Sequence, residues 1–153
     1  MTYNPVVPTT RWETDRQDTN DFLSEMIEAF RATVPGVVRK VWTEVPESST
    51  GEVPLVYLGE ITETITHDSG LRGTVYSGVI GYVDVSPSNE QANTRANTFA
   101  DYMRELFTAN ARIKPPGILA QTGLREGTWE QGPLRGFMHL LLDWQYVTQQ
   151  GRS

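Results

Sequence analysis

Few residue types in this chain could do chemistry, and their spacing decides what that chemistry could be. His67, Asp68 and Ser69 are the three types of a nucleophilic triad, but they are consecutive. A working triad converges from separated positions, with the base held between nucleophile and orienting acid. Three successive residues in a turn do not meet that geometry, so "HDS" reads as a hairpin tip. His139 and Asp143 share one face of a strand but stand about 13 Å apart at strand rise, beyond direct bonding. Glu60 and Glu63 are the first suspects for a carboxylate pair, and their spacing of three points them to opposite faces of a strand. The chain has no cysteine, which removes disulfides and thiolate metal sites. No pair of histidines stands four apart on a helix. The expectation is a protein with no catalytic residues, no metal and no cofactor.

Two short matches to nucleic-acid motifs fail on context. Gly70 and Gly73 bracket Leu71 and Arg72 like a Gly-x-x-Gly clamp, but here the segment joins two strands. "GYVDV", Gly81 to Val85, resembles the tail of an RNA-recognition strand without its basic residue or stacking aromatics. Tyr76 and Tyr82, on a shared strand face, are what remains of a rival reading as a nucleic-acid-binding module. Charge opposes it: 13 basic against 19 acidic residues give a net charge of -6, with Lys40 and Lys114 the only lysines. Phosphate-tracking surfaces need clustered cations. From Val41 to Leu71 the chain carries Glu44, Glu47, Glu52, Glu60, Glu63 and Asp68 and no Lys or Arg. That block is either a solvated loop and strand face or a surface that repels polyanions.

The elements that position these residues follow from periodicity. Phe22, Met26 and Phe30, with Leu23, Ile27 and Val34 beside them, make one helical stripe that Pro35-Gly36 ends. Its cap lies between Thr14 and Asp18. A strand over Val37 to Val45 is followed by the proline-bounded loop Pro46 to Pro54. "LVYLGEITETIT" alternates Leu55, Tyr57, Ile61 and Ile65 against Glu60, Thr62, Thr64 and Thr66, the pattern of a half-buried strand. The turn "HDSGLRG" returns it into "TVYSGVIGYVDV" as a hairpin. A second helix opens at Ser88, with Gln91 completing a capping box, and carries Ala92, Ala96, Phe99, Met103, Leu106 and Phe107 on its apolar stripe. Strands over roughly 118 to 130 and 137 to 147 close the chain, with Met138, Leu140, Leu142, Trp144 and Tyr146 on one face of the last.

The order is α-β-β-β-α-β-β: a two-layer α+β fold, two main helices on a mainly antiparallel sheet. Residues 1–14 read as a flexible arm, 15–147 as the single domain and 148–153 as a polar tail. Trp42, Tyr57, Phe99, Leu106, Leu140 and Trp144 are expected to be mostly buried. The longest strongly apolar run, Leu140 to Leu142, is too short to span a bilayer, and a soluble protein without a leader is expected. The outer face of the second helix carries Glu90, Thr94, Asn97, Thr98, Asp101 and Glu105. Short uncharged side chains there suit a subunit contact and are equally tolerated on a wet helix.

In length, acidity and element order the sequence resembles the tail terminator proteins of long-tailed bacteriophages. The likeness runs over residues 15 to 147, through "DFLSEMIEAF", the hairpin, "NTRANTFADYMREL" and the aromatic strand "MHLLLDWQYV". The resemblance implies a virion protein of the tail-neck region, assembled in the host cytoplasm with no membrane partner. Its subunits form a ring, typically a hexamer, that caps the tail tube and stops its polymerisation. The ring docks to the head connector or neck protein, and DNA passes through the lumen without specific binding. Another neck or tail-completion ring protein is the alternative. The family supplies no motif to carry over, so contact positions come from the arms, loops and helix face: Trp12, Glu47, Glu52, His67, Leu71, Arg72, Thr94, Asn97, Arg112 and Lys114. Glu60 is the lumen-facing acid expected, because its face carries Thr62 and Thr64 while Glu63 points with Ile61 and Ile65.

Overall fold

A computed structural model of the chain describes residues 8–33, 36–42, 53–68, 71–109 and 117–152. Helix α1 runs over Pro8–Thr33. Proline is well placed in a first turn, where its missing N–H has no intrahelical partner to lose. The expected start between Thr14 and Asp18 is therefore corrected, because no Gly or Pro interrupts the run after Pro8 and residues 8–14 continue the helical backbone. Leu23, Met26, Ile27 and Phe30 of its stripe are buried. Val34 lies outside the described residues.

Strands β1 (Lys40–Trp42), β2 (Leu55–Leu58), β3 (Thr62–Asp68) and β4 (Leu71–Asp84) follow, then helix α2 (Glu90–Ala109) and strands β5 (Gly117–Thr128) and β6 (Met138–Arg152). A short 3₁₀ turn, Gly132–Leu134, lies between the last two. The fold is α+β, with a six-stranded sheet in the order β1-β2-β4-β6-β5 and β3 beside β4. Two expectations change. Four strands precede α2 instead of three, and β1 pairs with β2 in parallel, so the sheet is mixed although mostly antiparallel. At the other end, β6 continues to Arg152 through the segment expected as a tail.

The extra strand comes from a break inside the segment read as one alternating strand. Leu58 pairs with Ile80 and Thr62 with Ser77, so four steps on the outer chain span three on β4. This one-residue excess is a bulge, and it reverses which side odd-numbered residues occupy. Val56 and Leu58 join the helix-side core, whereas Leu55 and Tyr57 pack on the opposite face. All four are buried, so β2 is covered on both faces and is not the half-wet strand expected. After the bulge, Glu63 and Ile65 sit opposite Tyr76 and Thr74, on the helix side.

The main core joins both helices to one set of sheet residues. Phe30 meets Phe99 edge-on at 5.7 Å, and Phe99 stacks on Tyr82 at 5.0 Å. Met138, Leu140, Leu142, Trp144 and Tyr146 of β6 all enter this cluster, as the alternation predicts. Tyr57, Phe99, Leu140 and Trp144 are buried, and Trp42 and Leu106 pack half-buried at the cluster margins. Two glycines in β4 make room for rings: Gly81 faces the Tyr57 ring and Gly78 lies against Trp144. A smaller cluster of Leu55, Tyr57, Val83 and Leu134 covers one end of the other face, with Trp42, Trp129, Phe137 and Leu141 around it.

A buried ion pair fastens α2 to the end of β4. The carboxylate of Asp84 is fully buried and accepts two bonds from Arg95, at 2.7 and 2.9 Å. It also accepts from the Tyr82 hydroxyl at 2.9 Å and the Val85 N–H at 2.7 Å. Burial pushes this carboxyl up, but those donors outweigh it and hold it below the usual carboxylate range. Helix α2 itself is capped by Asn89, whose side-chain oxygen accepts from the Ala92 N–H at 3.0 Å. That corrects the capping box expected at Ser88, whose N–H and hydroxyl bond instead to the Ser86 side chain.

Candidate interaction surfaces

The residues singled out by sequence fall in three places. Glu47, Glu52, Arg112 and Lys114 lie outside the described residues, and Trp12, Leu71 and Arg72 are placed by backbone only, in α1 and at the start of β4. His67 is exposed on β3. Thr94 and Asn97 are exposed on α2, as expected. The hydroxyls of Thr94 and Thr98 donate to the carbonyls of Glu90 and Thr94, at 3.1 and 2.9 Å. Their hydrogen bonds are met within the helix, so this face can be covered by another surface without leaving those hydroxyls unsatisfied.

The groups with chemical potential do not converge. His139 Nε2 is hydrogen-bonded to the Tyr57 hydroxyl, and both rings contact Trp129. Burial pushes Tyr57 up to about 12, with Arg125 pulling the other way. Burial, and then the charge of Arg125, lower His139, so the imidazole is neutral at pH 7. A phenol with a raised pKa is a poor nucleophile, and the arrangement is a packed aromatic cluster. Asp143 is engaged elsewhere, in a two-bond pair with Arg125 at 2.9 and 2.8 Å. Among the described residues, no group of three or more His, Asp or Glu is placed to hold a metal. No helix among them is long and apolar enough to cross a membrane.

Tyr76 and Tyr82 are both fully buried in the helix-side core. A base cannot stack on either while the fold is intact, which removes the observation behind the nucleic-acid-binding rival.

What the structure leaves accessible are sheet surfaces. Beyond the small cluster, the face away from the core presents Thr62, Thr64, Ser77, Gln145 and Val147, exposed or half-buried. A shallow trough of about 410 Å³ there is bordered by Glu60, Thr62, Ser77, Thr122 and Asp143. Glu60 is exposed, but it sits in the bulge between β2 and β3 instead of inside a strand. At the far side of the sheet, a groove of about 590 Å³ runs between the end of α2 (Arg104, Phe107, Thr108) and β5 from Ile118 to Leu124.

Among the described residues, the exposed large hydrophobic side chains are Ile65 (46% exposed), Ile118 (50%) and Leu124 (38%). Ile65 is on β3, which pairs with β4; the other two are on β5, which pairs with β6. All three therefore lie on strands at a sheet edge. Sequence reasoning missed the β5 edge. The available signal was Ile118 and Leu124, set in a stretch otherwise rich in polar and small residues. Compared with protein-family models and with curated proteins, the chain has no match.

Proposed function

We propose that this chain is a structural subunit of a bacteriophage tail. Six copies form a ring that caps the tail tube, stops its polymerisation and joins it to the head connector, while DNA passes through unread. In this reading the molecule has two layers: both helices lie on one side of the sheet, and the open sheet face borders the lumen. The observation that carries it is the character of that open face. Its trough is bordered by Thr62, Ser77, Thr122 and two carboxylates, Glu60 and Asp143, with no Lys or Arg in its lining, and the nearby Arg125 is held by Asp143. Such a wall gives a duplex no array of cations to bind.

The test is polymerisation of purified tail tube protein with and without this chain, followed by electron microscopy. The reading requires tubes of limited length with a six-fold cap at one end. Unlimited tubes with no bound chain would refute it. A ring that binds a head connector but not the tube would assign the chain to the neck instead.

A further inference from the structure

We propose that neighbouring copies in the ring join edge to edge, with β3 of one subunit added antiparallel to β5 of the next, making one sheet across the boundary. This inference rests on the ring reading and names its contact. The pairing directions supply the first argument. β3 and β6 run opposite to β4, and β5 runs opposite to β6, so β3 and β5 of one molecule are mutually antiparallel. A second copy shifted sideways, without being turned over, brings its β3 beside β5 in the antiparallel sense.

The faces also match. Leu124 pairs with Leu142 and Ile65 with Thr74, which puts both exposed side chains on the helix side. Gly127 and Arg125, paired with His139 and Leu141, share the open side with Thr62 and Thr64. Charge does not decide the contact: the described segment from Val53 to Asp68 has carboxylates and no Lys or Arg, while the β5 segment carries one Arg, Arg125, and one Glu, Glu126. Arg125 is bonded back to Asp143 on β6, so it does not guard the edge as an outward charge would.

Lateral room selects the part of β5 that takes part. β2 lies in line with β3, and β1 lies one strand further out, so a strand laid on β3 is stopped near Gly59. The antiparallel partner must then end beside Thr62, which sets Gly123–Thr128 against Glu63–Asp68, with Gly127 opposite Thr64 on the open side. At about 3.4 Å per residue this contact is about 20 Å long. A contact of one short strand pair falls below the roughly 1,200 Å² at which stable pairs begin. A single contact is therefore weak. Closure, which gives every subunit two contacts, is what holds the ring.

The natural chain has no cysteine, which gives a clean crosslinking test. Gly127 has open space where a side chain would go, and Thr62 and Thr64 are exposed. Gly127→Cys protein is mixed with Thr64→Cys or Thr62→Cys protein in the presence of tube protein and oxidised gently. Circular dichroism melts confirm that each variant is folded. Disulfide geometry requires adjacent backbones, so the expected result is mixed-pair crosslinking about tenfold above either variant alone. A Gly127→Cys homodimer as the main product would mean twofold β5–β5 pairing and overturn the proposal. No crosslink of either kind would overturn it too. Native mass spectrometry separates the two levels: a hexamer without the mixed crosslink leaves the ring reading standing, and a mixed crosslink in an assembly that fails to cap tubes leaves only the edge contact.

Discussion

Asp84→Asn tests the link between the sheet and α2. The substitution keeps the shape of the side chain and removes its charge, leaving the Arg95 guanidinium without a counter-ion. The Arg95 side chain is 26% exposed and that of Asp84 is 0% exposed. Breaking a fully buried pair costs about 3–5 kcal/mol, because the surviving charge is stranded. Water reaches part of Arg95, so the lower end applies, about 3 kcal/mol. With a urea slope of about 2 kcal/mol/M, the unfolding midpoint falls by about 1.5 M. Tryptophan fluorescence during a urea titration at pH 7 measures it, and a cycle with Arg95→Met isolates the pair. The sign with pH follows from the depressed carboxyl. Its contribution is fully present above the unfolded value near 3.9 and is lost as pH falls through the lower folded value. The deficit of Asp84→Asn should hold through neutral pH and shrink only below about pH 4. A loss under about 1 kcal/mol, or additivity with Arg95→Met, would refute the account of this pair.

Four other substitutions have definite expectations. His139 is lowered in the folded state, so the unfolded chain takes up the proton first as pH drops below about 6.5. Stability should therefore fall below that pH, and His139→Asn should flatten the slope in urea titrations at several pH values. Gly81→Ala places a methyl against the Tyr57 ring and forces it from its bond with His139, at a cost of about 2–3 kcal/mol. Gly127→Ala has free space and should stay within about 0.5 kcal/mol in the same titration. Glu60→Lys, at an exposed site, should leave the melting curve unchanged but slow DNA ejection from assembled particles. The delay should be larger at low salt, where the Debye length exceeds the roughly 8 Å of physiological buffer. Equal ejection rates at low salt would remove Glu60 from the DNA path.

Elements with one covered face were legible in the sequence. The stripe of α2 and the alternation of β6 both resolve a single environment, and both meet the core with the residues named for it. Start points were less legible. Ser86, Ser88 and Asn89 are all competent caps, and only the backbone path decides that Asn89 faces the first turn. Thr and Asp residues after Pro8 resemble a cap region but also fit inside a helix. β2 was misread because a strand covered on both faces has no alternation to display. The Asp84–Arg95 pair joins residues eleven apart on different elements, and no local spacing marks it. For the candidate surfaces, composition pointed to the Thr94 and Asn97 face and to Glu60, but not to the edges. Edge position is a property of strand order, which a one-dimensional pattern does not contain.

The bulge at Gly59–Ile61 makes this part of the chain read by count more than by composition. Glu60 is exposed there, and in a fold of this kind its side chain is nearly free to vary. Without the bulge, the chain at its full length would run along β4 in a single phase, turning Thr62, Thr64 and Thr66 toward the helices and Glu63 and Ile65 to the open face. A drift of substitutions can rewrite the letters at this corner with little effect. A one-residue deletion would straighten it and leave every β3 side chain on its present side, whereas straightening at full length would exchange the two sides of the strand. The corner works as a phase marker, separating the stretch that builds the interior from the stretch that faces outward.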